Sequence, residues 1–178
     1  MQVWIDRLFH LLEAVLVFLL SAMVVMVFGN VVLRYGFNKG INVSEELSRY
    51  FFVWLTFIGA VVTFRENAHL GVESVVRLLP RRGRIVCMLI TNSIILLCAG
   101  IFFWGTWLQH DINASMVAPV VGISMIWVFG IGYFASIGIG LIALLRTLKI
   151  LLGKVEDSEI ATFSGEYEET VSIRKRPE

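Results

Sequence analysis

The stretch Asn42-Val43-Ser44-Glu45-Glu46-Leu47-Ser48-Arg49-Tyr50 runs into an uncharged segment, Phe51 to Phe64, and ends at Arg65-Glu66-Asn67-Ala68-His69. It reads as a membrane-spanning helix that begins with a cap and a charged cluster and stops at charge. The Asn42 side chain can accept first-turn backbone N–H groups while Glu45 reaches back, so a helix is expected from about Val43. From there to Phe64 is roughly 33 Å, enough to cross a hydrocarbon core of about 30 Å. Glu45 and Arg49 (i, i+4) and Glu46 and Arg49 (i, i+3) share a face, which leaves open whether either carboxylate pairs with Arg49 or with another subunit. Arg49 lies only about 10 Å along the axis, where its guanidinium can extend to the headgroups. At the bilayer centre the same charge would cost about 2.5–3.5 kcal/mol on insertion scales.

Working outward, the rest of the chain repeats this design. Of its 178 residues 57% are hydrophobic, above the roughly 45–50% of soluble domains, and mean hydropathy is +0.80. Charge is absent between Glu13 and Arg34, Arg49 and Arg65, Arg84 and Asp111, and Asp111 and Arg146. Once caps and flanks are included, each interval can supply the approximately 20 apolar residues of a span, so the expected fold is an all-α integral membrane protein. Four transmembrane helices are expected at about 11–33, 43–64, 85–108 and 119–145, the last with Pro119 at its start. Trp4 and Phe9 suit an interfacial lead-in to the first helix, and Trp104 and Trp107 an aromatic belt at the end of the third.

Between helices 2 and 3, Val72, Val75, Val76 and Leu79 recur at helical spacing until Pro80, predicting a short amphipathic interfacial helix at about 71–79. Residues 154–178 are polar and acidic and are expected to form a disordered cytoplasmic tail. Lys and Arg concentrate at the amino end, in the 65–84 connection and after the fourth helix, against only Arg34, Lys39 and Arg49 opposite. That bias predicts both termini in the cytoplasm. The short turn from Tyr35 to Ile41 makes helices 1 and 2 antiparallel neighbours. Cys87 and Cys98 lie about 16 Å apart along one helix and cannot bridge each other.

The chemistry points away from catalysis. No nucleophile with a base, phosphate-cradling loop or metal-ligand spacing is present. A net charge of +1 is too small to imply nucleic acid, no basic stripe with interleaved aromatics appears, and no nucleic-acid partner is expected. His10, His69 and His110 all fall near helix ends, unsuited to holding haem inside a helical core. Helices 3 and 4 carry no ionisable group in their interiors, so an autonomous ion-coupled pump is not expected and an accessory or scaffold subunit is. Asn30 and Arg34 share a face near the end of helix 1, as anchor or partner contact. Gly132, Ser136 and Gly140 form a small-xxx-small face for packing inside the chain or on another subunit, and Gly59 belongs to a comparable stripe with Thr56 and Thr63. A competing reading is a homodimeric small multidrug exporter using Glu13.

Glu45-Glu46-Leu47-Ser48-Arg49-Tyr50, with Val53-Trp54-Leu55-Thr56-Phe57-Ile58-Gly59-Ala60, Arg65 and His69, resembles the signature of the small membrane subunit of tripartite ATP-independent periplasmic (TRAP) transporters, the DctQ-like family. Asn30-Val31-Val32-Leu33-Arg34-Tyr35 is similar to the family's pattern at the end of helix 1. Ser124-Met125-Ile126-Trp127, with Tyr133 and Gly138, is similar to its fourth helix, although members often carry proline where this chain has Ser124. The resemblance covers roughly Leu11 to Lys149. It implies a subunit of the bacterial inner membrane that scaffolds a large multi-helix membrane subunit, working with a periplasmic substrate-binding protein to import an organic acid with sodium. This subunit would need no cofactor of its own, the sodium being bound by the large subunit. The matching positions implied for structure or subunit contact are Asn30, Arg34, Glu45, Glu46, Arg49, Tyr50, Trp54, Gly59, Arg65 and His69. Lys39, His110 and Asp111, on the expected outer side, are candidates for contact with the binding protein.

Overall fold

The computed structural model describes residues 2–65 and 79–152. The expected interfacial helix at 71–79, His69 and the tail from 154 fall wholly or largely outside the described residues. Regular structure among those described is helical: α1 (Gln2–Phe37), α2 (Asn42–Arg65), α3 (Arg81–Leu108), α4 (His110–Ser115), α5 (Ile126–Phe129) and α6 (Ile131–Leu151). Among the described residues four segments are long and apolar enough to span a membrane: Asp6–Phe37, Asn42–Arg65, Arg81–Leu108 and Ile126–Leu151.

Local chemistry sets the boundaries. The 36 residues of α1 extend roughly 54 Å, well past a bilayer's apolar core, because nothing in the flanks of the uncharged run breaks a helix. α1 ends where Asn38 takes a left-handed conformation (φ 55°), which asparagine tolerates, and the Lys39 N–H returns to the Leu33 carbonyl at 3.1 Å. α2 begins one residue earlier than expected: the Ile41 carbonyl takes the Ser44 N–H at 3.1 Å and the Glu45 N–H at 3.4 Å. Ile41, not Asn42, is thus the residue before the first turn. α3 starts immediately after Pro80, whose carbonyl takes the Arg84 N–H, so Arg81, Arg82 and Arg84 occupy its first turn rather than preceding it.

The fourth span departs most from expectation. Residues 116–125 form a tight reversal in place of the first turns of a helix. Val117 bridges Ser124, the Ala118 N–H meets the Ile123 carbonyl at 2.8 Å, and the Met125 N–H meets the Met116 carbonyl at 2.9 Å. Pro119 opens the turn and Gly122, at φ 75°, closes it with its N–H on the Ala118 carbonyl. Proline's fixed φ suits the head of a turn as well as the head of a helix, and the glycine three residues later makes the turn the better solution.

The chain divides into two compact units. In the first, Met1–Val62 with Phe102–Ser136, the core is Leu19, Ile58, Val62 and Ile131, with Leu12, Leu16, Trp54 and Phe57 packed against it. Phe57 stacks on Phe102 with centroids 5.5 Å apart. In the second, Thr63–Ile101 with Ile137–Glu178, Met88, Ala99, Ala143 and Ile150 are buried. A Cβ on Gly132 would lie 3.1 Å from Thr106 Oγ1, and one on Gly140 would lie 3.6 Å from Ala99 Cβ. With Ser136 also buried, the small-residue stripe faces α3 of its own chain. Cys87 and Cys98 are free thiols.

Candidate functional site

The charged cluster at the head of α2 sorts into residues that hold the chain together and residues that face outward. Glu46 is 4% exposed although it is a carboxylate. Three donors satisfy it: Tyr50 Oη on Oε1 at 2.8 Å, and the backbone N–H groups of Val120 (3.0 Å) and Val121 (2.8 Å) on Oε2. The spacing Glu46–Tyr50 places the phenol one helical turn below the acid. The two amides are free to converge because they follow Pro119 at the tip of the 116–125 reversal, where no ladder consumes them. Glu46 is therefore a latch between α2 and that reversal, and a buried carboxylate fully hydrogen-bonded in this way is what makes its burial tolerable.

Neighbouring polar groups do similar work. Asn30 Oδ1 accepts the Ile41 N–H at 2.8 Å, and Ser44 Oγ donates to the Met26 carbonyl at 2.8 Å, binding the head of α2 to the end of α1. Ser48 Oγ donates to the Ser44 carbonyl within α2. Trp54 Nε1 donates to the Trp127 carbonyl at 3.2 Å. Gly59 lies beside α1, where a Cβ would meet Leu16 at 3.9 Å, an ordinary contact.

Arg34, Glu45 and Arg49 remain exposed. Among the described residues neither Glu45 nor Glu46 forms a close ion pair with Arg49; Glu46 is committed elsewhere, which resolves the open pairing against an intrahelical bridge. The three line a groove of about 640 Å³ between α1 and α2, floored by Met23, Val27, Val31, Phe52 and Val53.

In the same unit, Tyr133 Oη donates to the Thr106 carbonyl at 3.2 Å and lies 3.2 Å from His110 Nδ1, while His110 stacks near Trp107. His110 thus belongs to an aromatic cluster. Asp111 and Lys39 are exposed, Asp111 in the first turn of α4 and Lys39 in the α1–α2 turn. Ser124 Oγ donates toward the carbonyls of Asn113 (3.3 Å) and Ala114 (3.1 Å), a role proline could not fill. Among the described residues no group of three His, Cys, Asp or Glu is placed to hold a metal.

Sequence reasoning passed over several of these groups. In the second unit, Arg146 Nη2 donates to the carbonyls of Phe64 (3.1 Å) and Arg65 (2.9 Å) with its guanidinium 5.0 Å from the Phe64 ring centroid, closing the C-terminus of α2. In the sequence it marked only the end of a long uncharged run. Asn92, 4% exposed, donates to the Met88 carbonyl while its Oδ1 has no partner among the described residues. The Val120–Val121 amides carried no side-chain signal at all.

Comparison with known proteins follows this geometry closely in sequence extent. Residues 23–153 match the family described as Tripartite ATP-independent periplasmic transporters, DctQ component. A protein of Haemophilus influenzae assigned as a TRAP transporter small permease is 42% identical over 131 residues, 74% of this chain and 79% of the relative. A second protein of that organism with the same assignment is 28% identical over 138 residues, 78% of this chain and 84% of the relative. The C4-dicarboxylate TRAP transporter small permease protein DctQ of Vibrio cholerae is 26% identical over 110 residues, 60% of this chain and 47% of that relative.

Proposed function

Because the chain belongs to the DctQ component family of the tripartite ATP-independent periplasmic transporters, we propose that it is the scaffold for a large multi-helix membrane subunit in an organic-acid importer. A periplasmic binding protein delivers the acid, and the large subunit moves it with sodium. A C4-dicarboxylate, the class in the name of the Vibrio cholerae relative, and a sialic acid are the substrate classes this reading takes. The subunit sits in the bacterial inner membrane with both termini cytoplasmic, as the Lys/Arg bias supports.

One observation carries the scaffold reading. Asn30, Ser44, Glu46, Tyr50 and Trp54 are all engaged with the chain's own turns and helix ends. Polar groups devoted to self-rigidification suit a part that positions another. The homodimeric exporter is not favoured: the family match opposes it, and Glu13 accepts from or faces His10 Nδ1 at 3.2 Å on the same helix, 45% exposed.

The test is co-expression of the tagged chain with the large membrane protein encoded beside it, purified in mild detergent. A one-to-one complex is the expected result. Isolation of the chain as a homodimer, with the larger protein washed away, would overturn the reading. Lys39→Glu with Asp111→Lys then checks the binding-protein contact, which is expected to slow uptake; unchanged uptake removes those two residues from it.

A further inference from the structure

The groove between α1 and α2 has a polar mouth and an apolar trough. Arg34 comes from one helix and Arg49 from the other, with Glu45 between them in sequence and Met23, Val27 and Phe52 below. Two guanidiniums against one carboxylate leave the mouth cationic. Both arginines are exposed, and neither is committed to the latch that holds the helices together.

Dimensions narrow the occupant. Met23 to Arg34 spans about 17 Å of α1, and Glu45 to Val53 about 12 Å of α2. One leaflet of a bilayer with a core of about 30 Å is roughly 15 Å deep. The groove is thus one leaflet long, with its cations at the end where the α1–α2 turn leaves the membrane. A partner helix packing along this seam would use a stripe through both leaflets. A single phospholipid needs only what is here: a planar donor pair for its phosphate and an apolar trough for an acyl chain.

We propose that this groove holds one anionic phospholipid, its phosphate between Arg34 and Arg49 and one acyl chain along Met23, Val27 and Phe52. The inference goes beyond the scaffold reading and does not depend on which acid is carried. An arginine near a membrane surface attracts anionic lipid by about 1 kcal/mol, and the one net positive charge left after Glu45 corresponds to roughly a fivefold preference over a neutral lipid.

The experiment is native mass spectrometry of the full chain in detergent, titrated with dioleoyl phosphatidylglycerol or dioleoyl phosphatidylcholine. The expected result is one retained phosphatidylglycerol, held roughly fivefold more tightly than phosphatidylcholine. Arg34→Gln with Arg49→Gln should erase that preference at unchanged melting temperature. Val27→Trp, which fills the trough and keeps both charges, should expel the lipid. Equal binding of the two lipids, or retention unchanged in both variants, overturns the proposal. So does a double variant that loses the large subunit while keeping the lipid, since the occupant is then an acidic segment of the partner. Competition by inorganic phosphate alone at millimolar concentration would also overturn it, because the trough would then contribute nothing.

Discussion

At the scale of single residues, the consequential fact is that Glu46 makes its close hydrogen bonds to groups other than Arg49. Its two oxygens serve Tyr50, Val120 and Val121. Glu46→Gln keeps one acceptor and puts an NH₂ group against two backbone donors, so the melting temperature in detergent should fall; Glu46→Ala, which also unseats Tyr50, should lower it further. If Arg49→Ala lowered it as much as Glu46→Ala, the latch would be misassigned. Asn92 provides an opposite case. Its Oδ1 is buried without a partner among the described residues, a penalty of about 1–3 kcal/mol, so Asn92→Leu should leave the isolated subunit equally or more stable on thermal unfolding. Residue identity made Glu46 conspicuous in the sequence and Arg49 its obvious partner by spacing. The true partners were invisible because backbone amides 74 and 75 positions away have no residue-type signature.

At the scale of elements, four uncharged intervals named four spans, because hydrocarbon tolerates only self-satisfied backbone and the chain advertises this with long apolar runs. Ends were less legible. Pro119 fits the first turn of a helix and the head of a reversal equally, and what decided between them was Gly122 together with the Glu46 carboxylate waiting for the two amides. The small-residue stripe of α6 separates by contact distance. Gly132→Val forces carbon into Thr106 and Phe102 and should cost about 1–3 kcal/mol on unfolding in detergent. Gly140→Ala meets Ala99 at an ordinary separation and should be neutral or gain up to about 1 kcal/mol from helix propensity. Arg146→Leu removes the cation from the end of α2 and should speed amide exchange over Val62 to Arg65, a loss of about 0.3–1 kcal/mol if the interaction is charge with the helix end.

At the scale of the whole molecule, hydropathy and the Lys/Arg bias predict a topology that is directly measurable. A cysteine at Asn38, in a chain with Cys87→Ala and Cys98→Ala, should react with a membrane-impermeant maleimide added to intact cells. A cysteine in the 154–178 tail should react only after the cells are opened. The reverse pattern would invert the subunit and exchange the sides on which Lys39 and the 65–84 connection lie. The four spans were legible in sequence because bilayer thickness acts on averages over many residues. Sequence did not reach the division of labour inside the α2 cluster, where one atom's hydrogen-bonding capacity decides the role.

The latch also has a place in time. Glu46 emerges from the ribosome 74 residues ahead of the first amide that will neutralise its burial. At about 5–20 residues per second, that is a wait of roughly 4–15 s. Through that interval the carboxylate stays hydrated, so the head of α2 remains open to water until the Pro119 turn arrives, and closure of this end becomes a late step of biogenesis.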